Sequence, residues 1–383
     1  MGLIGTEVTV LGAGVAGLAV ARALALRGAA VTVLEQAAAI AEVGAGIQVS
    51  PNGACVMRAL GLGDALEAAS FRASAVQLYD GLRGAPVLRL DLARLRPAQG
   101  YHFMHRAALI ALLEQGARDA GVVIRLGQRV VAVGDGVTLA SGEVLRPLLL
   151  VGADGLHSLV RAALNGVAAP FFTGQVAWRA VIPAEPGAVP VAEVHMGEGR
   201  HLVSYPLPGG LRNIVAVEER SAWAAENWHL RDDPAPLRTA FASFGPRVQD
   251  WLVKVQAPGL WGLFRHPVAR RWQGQGMVLL GDAAHPTLPF LAQGANMALE
   301  DAWVLAACLA QHDSALAGLA AYQAARAPRC ARIVAAAEAS ARAYHLHRPW
   351  RGGVHLGMRA MGAVAPQMAL RRFDWIYGCD VTA

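Results

Sequence analysis

Apolar residues follow two rhythms along this chain. Glu7 to Leu11 and Val31 to Leu34 read as short apolar strands, and Leu148 to Val151 and Met277 to Leu280 are fully apolar, the pattern of buried strands. Between 174 and about 268 the pattern changes to alternation. Gln175 to Ile182, Ala192 to His195, His201 to Tyr205 and Asn213 to Val217 predict a mostly antiparallel sheet. Val76 to Leu90 also alternates, around Gly81 and Gly84, and predicts a hairpin belonging with that sheet. Val122 to Val133 and Val137 to Leu139 are further strand. Helical periodicity covers Leu18 to Leu26, Ala54 to Leu60, Ala107 to Ala120, Met297 to Gln311 and Ala315 to Ala343, with Pro328 expected to break or restart the last.

The sequence of elements predicts an α/β protein: a Rossmann-like nucleotide domain assembled from 1–75, 101–170 and 271–345, and an inserted, mostly antiparallel β domain from 76–100 and 171–270. A C-terminal helical segment, 346–383, follows.

Composition narrows the chemistry. The chain has 383 residues, 55% hydrophobic and 16% charged, enough for a large core. No run reaches the roughly 18 uncharged apolar residues of a membrane span, and Val8 to Ala21 lacks the basic leader of a signal peptide. Lysine and arginine total 34, and Lys254 is the only lysine, which excludes a Gly-Lys-Ser/Thr phosphate loop. The arginines are scattered without interleaved aromatics, so nucleic acid is not an expected partner. Cys55, Cys308, Cys330 and Cys379 form no metal spacing, and a reducing cytoplasm is the expected compartment.

Three islands carry the candidate chemistry. In Gly12-Ala13-Gly14-Val15-Ala16-Gly17, Gly12 makes a tight turn, Gly14 admits a pyrophosphate and Gly17 allows close helix packing. Glu35, with Gln36 beside it, ends the next strand, where a carboxylate accepts ribose hydroxyls and repels a 2′-phosphate. Asp154 in Gly152-Ala153-Asp154-Gly155 and Asp282 after Gly281 each follow a buried strand, either as ligand carboxylates or as ordinary turn residues. Gly294-Ala295-Asn296 opens a helix. Gly44 to Asn52, with Gly46 and Gln48, is expected to loop over the cofactor. Arg106 opens another helix, reaching the cofactor or pairing on the surface. A nicotinamide enzyme needs the first island alone; all three in this order point to FAD.

The chain resembles the single-component FAD-dependent aromatic hydroxylases of the p-hydroxybenzoate hydroxylase fold. It is most similar to the salicylate, 3-hydroxybenzoate and 6-hydroxynicotinate branch. Gly12–Gly17 with Glu35, Gly44 to Asn52, Gly152 to Arg161, Gly281 to Asp301 and the ending Phe373 to Gly378 carry that resemblance. It implies FAD as cofactor, NADH or NADPH as cosubstrate, O2, and a small hydroxylated aromatic, with oxygen transferred through a flavin C4a-hydroperoxide. It implies that Asp154 serves FAD and the passing nicotinamide, and that Asp282 meets the ribityl chain. It places the helix at Gly294-Ala295-Asn296 against the flavin pyrimidine edge, and Pro289 beside the carbon that receives oxygen.

His201 and Tyr205 share one strand face, roughly 13 Å apart at about 3.3 Å per residue, near enough for side chains to reach one ring. The branch carries a similar pair, which implies His201 as base and Tyr205 as positioning partner. His195, Trp178 and Phe290 are candidate pocket walls, His285 is expected to be structural, and Gln293 receives no role. No arginine for a substrate carboxylate stands out. A larger polyketide-like or prenylated phenol is the competing substrate, and a non-catalytic FAD-binding protein the competing class. Monomer and homodimer are both open.

Overall fold

The computed structural model describes residues 3–40, 45–221, 232–347 and 349–383. Its nucleotide lobe is built on a six-stranded sheet ordered Gln273–Gly274, Met277–Leu279, Leu149–Gly152, Glu7–Leu11, Ala30–Leu34, Val123–Arg125. The last five run parallel and the first is antiparallel to its neighbour. Helices Val15–Ala25, Arg106–Asp119 and Gly294–Gln311 cover it. Sheet and helices share a core that includes Val10, Leu18, Val33, Val151, Val278 and Leu305, each under 1% exposed. Strand order reverses at Glu7–Leu11, and in open parallel sheets that reversal opens a crevice at the carboxyl ends. Those ends carry the Gly12, Glu35, Gly152 and Gly281 islands on four adjacent strands.

The second lobe is a seven-stranded sheet ordered Gly259–Arg265, Phe171–Pro183, Leu211–Glu219, Arg200–Leu207, Val191–Gly197, Ala75–Asp80, Ala85–Asp91. Every neighbouring pair is antiparallel except Val191–Gly197 with Ala75–Asp80. The hairpin expected around Gly81 and Gly84 forms and joins this sheet at its edge. Helices Trp350–Val364 and Pro366–Arg371 pack on that edge.

Three expectations are corrected. Val122 to Val133 is two strands: Val123–Arg125 extends the parallel sheet, whereas Val130–Val133 joins a separate three-stranded sheet. Gly127, at φ +68, turns the chain between them. The expected loop from Gly44 to Asn52 is, over its described part, the strand Gly46–Val49 paired with His102–His105, followed by a helix from Pro51; Gly44 itself lies outside the described residues.

Pro328 does not break its helix, which runs Ala315–Tyr344. Proline inside a helix costs about 3 kcal/mol, and buried ionic bonds on both sides offset it. Arg326 reaches Asp301 at 2.7 Å and Glu300 at 2.5 Å. Arg329 reaches Glu300 at 2.8 Å and the carbonyls of Trp375 and Ile376. Those last bonds also anchor the C-terminal tail.

Candidate active site

Alternation across the second sheet builds one wall of a cavity of about 650 Å³ between the lobes. Directly paired residues share a face, so Arg179, Val215, Val203, Val194, Leu78 and Leu88 form one row across six strands, and all six line the cavity. His201 and Tyr205 flank Val203 on the same face and also line it. Trp178 and His195 sit in the adjacent row and point the other way. Trp178 packs edge-on against Phe241, and His195 stacks on Tyr79 at 4.8 Å, so neither is a pocket wall. Phe290 is one.

The opposite wall comes from the nucleotide lobe: Gly14, Ala16, Gly46, Gln48, Arg106, Asp282, Pro289, Gly294 and Ala295. Two glycines of the first island, Gly12 and Gly17, are required by close contacts within the protein. A Cβ on Gly12, which has φ +96, would meet the Ala153 carbonyl oxygen at 2.6 Å, and one on Gly17 would meet the Gly12 oxygen at 1.9 Å. At Gly14 nothing lies within 4 Å. Gly14 caps the helix Val15–Ala25, so its open side is a helix N-terminus facing the cavity, a ready site for phosphate. A second such terminus begins at Gly294, where a Cβ would meet only Thr287 Cγ2 at 3.5 Å and Asp282 Oδ1 at 3.9 Å. Ala292, at φ +53, is a strained non-glycine residue immediately before that helix.

Glu35 is half-buried and accepts from the backbone N–H groups of Ala13 (2.8 Å) and Ala37 (2.9 Å). A carboxylate has about four lone-pair sites, which leaves room for ribose hydroxyls. Gln36 is exposed beside it. Asp282 is accessible to solvent, yet dense protein around the cavity pushes its pKa up, while His285, Arg106 and His266 pull it down. Two open helix N-termini, Glu35 at a strand end and Asp282 between them fit a dinucleotide with an attached ring system. When bound, FAD supplies the redox chemistry that activates oxygen.

Two expected ligands stand elsewhere. Asp154 does not line the cavity, although Ala153 and Gly155 do. Its Oδ2 accepts from the Leu159 N–H at 2.8 Å and holds the start of the helix Leu159–Asn165, while Oδ1 is buried without a partner among the described residues. Burial raises its pKa; bonds from Ser158 and the helix backbone oppose that. Asn296 is a bracket inside the wall: it accepts from Ser50 N–H and donates to the carbonyls of Gln48 and Ala292. Gly281 contributes a bend at φ +60, with Ala16 Cβ 2.9 Å from where its own would be.

The sheet side is apolar with few polar groups. Tyr205 is buried against Phe103 at 4.9 Å. Burial raises its pKa, with Arg179 and Gln48 pulling it down. Gln48 accepts from Tyr101 Oη at 2.6 Å. His201 is 2% exposed, and its Nδ1 lies 2.7 Å from His345 Nε2. Burial, then His345, holds its pKa well below the usual histidine range, so the ring is neutral. His285 is buried against Asp301 and Trp272 and does not line the cavity.

Sequence patterns did not mark Arg179, Gln293 or His345. Arg179 shows only through strand pairing. Gln293 donates to Ser50 and accepts from Asn52, and lines the cavity. The C-terminal segment supplies Met358, Met361, Phe373, Trp375 and Tyr377 to the lining. Among the described residues, His285, Asp301 and Cys330 are near enough to share a metal ion, but Arg326 and His285 already occupy the Asp301 carboxylate.

Comparison with known proteins agrees with this geometry. The FAD binding domain family model matches residues 5–337. The chain is 36% identical to the 3-amino-4-hydroxybenzoate 2-monooxygenase of Streptomyces cremeus, over 89% of this chain and 88% of that one. It is 32% identical to the 3-hydroxybenzoate 6-hydroxylase of Klebsiella oxytoca, over 96% of each. The structure of Klebsiella pneumoniae HpxO complexed with FAD and uric acid superposes with a TM-score of 0.81, at 27% identity over 93% of both chains. No helix among the described residues is long and apolar enough to cross a membrane. A dinucleotide crevice facing an apolar, histidine-bearing sheet, matched by the FAD binding domain model and along most of its length by a benzoate monooxygenase and a benzoate hydroxylase, makes this chain a member of the FAD binding domain family and an FAD-dependent aromatic monooxygenase.

Proposed function

We propose that the protein hydroxylates a small phenolic acid or hydroxylated heteroaromatic acid, using NADH or NADPH as reductant. The carrying observation is that His201, Tyr205 and Arg179 share one face of the sheet, across the cavity from Gly294 and Pro289. A ring between these walls meets a neutral imidazole able to accept a phenolic proton, which makes the ring more electron-rich and more reactive toward an electrophilic oxygen. Tyr205 positions the ring by hydrogen bonding. Arg179, whose guanidinium lies 4.7 Å from the Trp261 ring, offers the cation that a ring carboxylate needs. The benzoate-named relatives support an acid as substrate.

In this proposal Gly12, Ala13, Gly14, Ala16, Gly17, Glu35 and Gln36 hold the adenosine and pyrophosphate end. Gly46, Gln48, Arg106, Gly281, Asp282, Gly294 and Ala295 would hold the flavin end, which would supply the activated oxygen, and Pro289 would pack beside it. The helix dipole at Gly294 favours negative charge there. Asp154 and Asn296 act one step back, by shaping the backbone around Ala153 and Gln48. The apolar rows and the C-terminal segment exclude water. Residues 1–75, 101–170 and 271–345 serve the cofactor, 76–100 and 171–270 the substrate, and 346–383 close the cavity.

Anaerobic stopped-flow mixing of the yellow holoenzyme with NADH and with NADPH tests this, with and without 3-amino-4-hydroxybenzoate, 3-hydroxybenzoate and the acid-free phenol catechol. Faster flavin reduction with an acid, followed by a product one oxygen heavier, is the expected result. Equal stimulation by catechol would remove the acid; no oxygenated product from any phenol would remove the proposal.

A further inference from the structure

Behind His201 a line of side chains leads out of the cavity. His201 Nδ1 lies 2.7 Å from His345 Nε2, and His345 Nδ1 lies 2.8 Å from Glu219 Oε1. His201 and His345 are 2% and 3% exposed, whereas the Glu219 side chain is 44% exposed. The line therefore starts at a cavity-lining ring, crosses a buried one and ends at solvent. Its members come from three elements. His201 lies on the strand Arg200–Leu207, Glu219 ends the neighbouring strand Leu211–Glu219, and His345 caps the helix Ala315–Tyr344 of the other lobe.

Hydrogen-bond inventory gives the line a direction. An ionised carboxylate only accepts, so His345 must carry its proton on Nδ1 to meet Glu219. In a neutral ring Nε2 is then an acceptor, and His201 must donate to it from Nδ1. His201 is thus left with its lone pair on Nε2, the remaining nitrogen of a ring that lines the cavity. The exposed acid, two residues away through space, sets the tautomer that makes His201 a base.

We propose that His201, His345 and Glu219 form a proton relay that carries the substrate's phenolic proton from the cavity to solvent. This rests on the proposed role of His201 as base. The phenol O–H bond breaks as an N–H bond forms at His201 Nε2. The Nδ1 proton of His201 passes to His345 Nε2, the Nδ1 proton of His345 passes to Glu219, and Glu219 releases it to water. One proton leaves, a phenolate remains, and no electrons change hands.

The surroundings suit passage rather than storage. Burial lowers the pKa of both rings, so neither retains the proton. At His345 the Glu219 carboxylate opposes that effect, while His347 and Arg200 add to it. The rings of Phe290 and Tyr344 flank His201 at 5.6 and 5.2 Å, and Tyr344 is itself kept protonated by burial. His345 and Glu219 act through His201 and are positioning residues.

Two measurements test the relay in the FAD-loaded protein. Nitrogen-15 NMR of the imidazoles, without substrate, should show both His201 and His345 as Nδ1–H tautomers, and Glu219→Gln should relax that preference. An Nε2–H tautomer at His201 in the native protein overturns the proposal. Second, stopped-flow mixing with 3-amino-4-hydroxybenzoate in weak buffer, with a pH indicator, reads proton release on binding. His345→Gln and Glu219→Gln should each slow release by about tenfold or more while substrate Kd stays within about threefold, and added imidazole should restore the rate in His345→Gln. Glu219→Gln covers the case in which the buried His345→Gln fails to fold. Native release rates in both variants overturn the relay while leaving His201 as base; native release in His201→Gln overturns the base as well.

Discussion

His285 and His201 are both buried and both bonded to neighbouring side chains, yet one is charged and the other neutral. At His285 burial works against the proton, but Cys330 and Asp301 outweigh it, and its pKa rises well above the ordinary value. His201 faces another imidazole, and burial goes unopposed. Depth alone does not decide whether a buried histidine is charged; the partner does. Accordingly His285 is part of an ionic clasp with Asp301, Arg326 and Glu300 that fastens two helices, while His201 is a neutral ring on a cavity wall, the group proposed above as base.

The largest expected effect tests the clasp. Asp301→Asn removes the carboxylate shared by His285, Arg326 and the Gly281 N–H, leaving buried His285 uncompensated and Arg326 with Glu300 alone. It should cost about 3–5 kcal/mol in urea denaturation, and a loss below about 1 kcal/mol would show the cluster to be wet. His201→Gln probes the other site. Product formation should fall by about 10²–10⁴-fold with the urea midpoint nearly unchanged, and retained hydroxylation would remove the contrast.

The pH dependence of stability separates the two directly. For His201, depressed below 6.5, the unfolded chain binds more protons once pH falls under that value, so its contribution is lost on acidification. For His285, raised above 6.5, the contribution is complete below 6.5 and is lost as pH rises through the folded value. Each slope is limited to about 1.4 kcal/mol per pH unit per proton. Urea midpoints between pH 5 and 9 should flatten on the acid side in His201→Asn and on the alkaline side in His285→Asn. The smallest change is Phe290→Leu, which alters a wall without touching the proton. It should cost under about 1.5 kcal/mol and leave both slopes intact; a shifted acid-side slope would mean that the ring itself tunes His201.

Much of the fold was legible because its signals are local. A glycine spaced for a turn, a fully apolar run or an alternating run each carries its own steric or solvation reason. Alternation also set His201 and Tyr205 on one face. It carried further information that single segments hide: Trp178 and His195 belong to the opposite face, and Arg179 to the cavity face, once strand register is known. Similar motifs also diverged. Asp154 and Asp282 both follow buried strands, yet the first holds a helix start and the second lines the cavity. Pro328 misled because helix propensity counts the lost bond and not the arginines beside it.

The sequence by itself determined the dinucleotide crevice, the two kinds of sheet and the flavin chemistry, because each depends on spacing within some thirty residues or on alternation along a strand. Only the tertiary structure decided which carboxylate faces the cavity, that the C-terminal segment lines it, and that His201, His345 and Glu219 form one line. The bonds of that line join residues 144 and 126 positions apart, through a strand register and a helix end that no local pattern encodes.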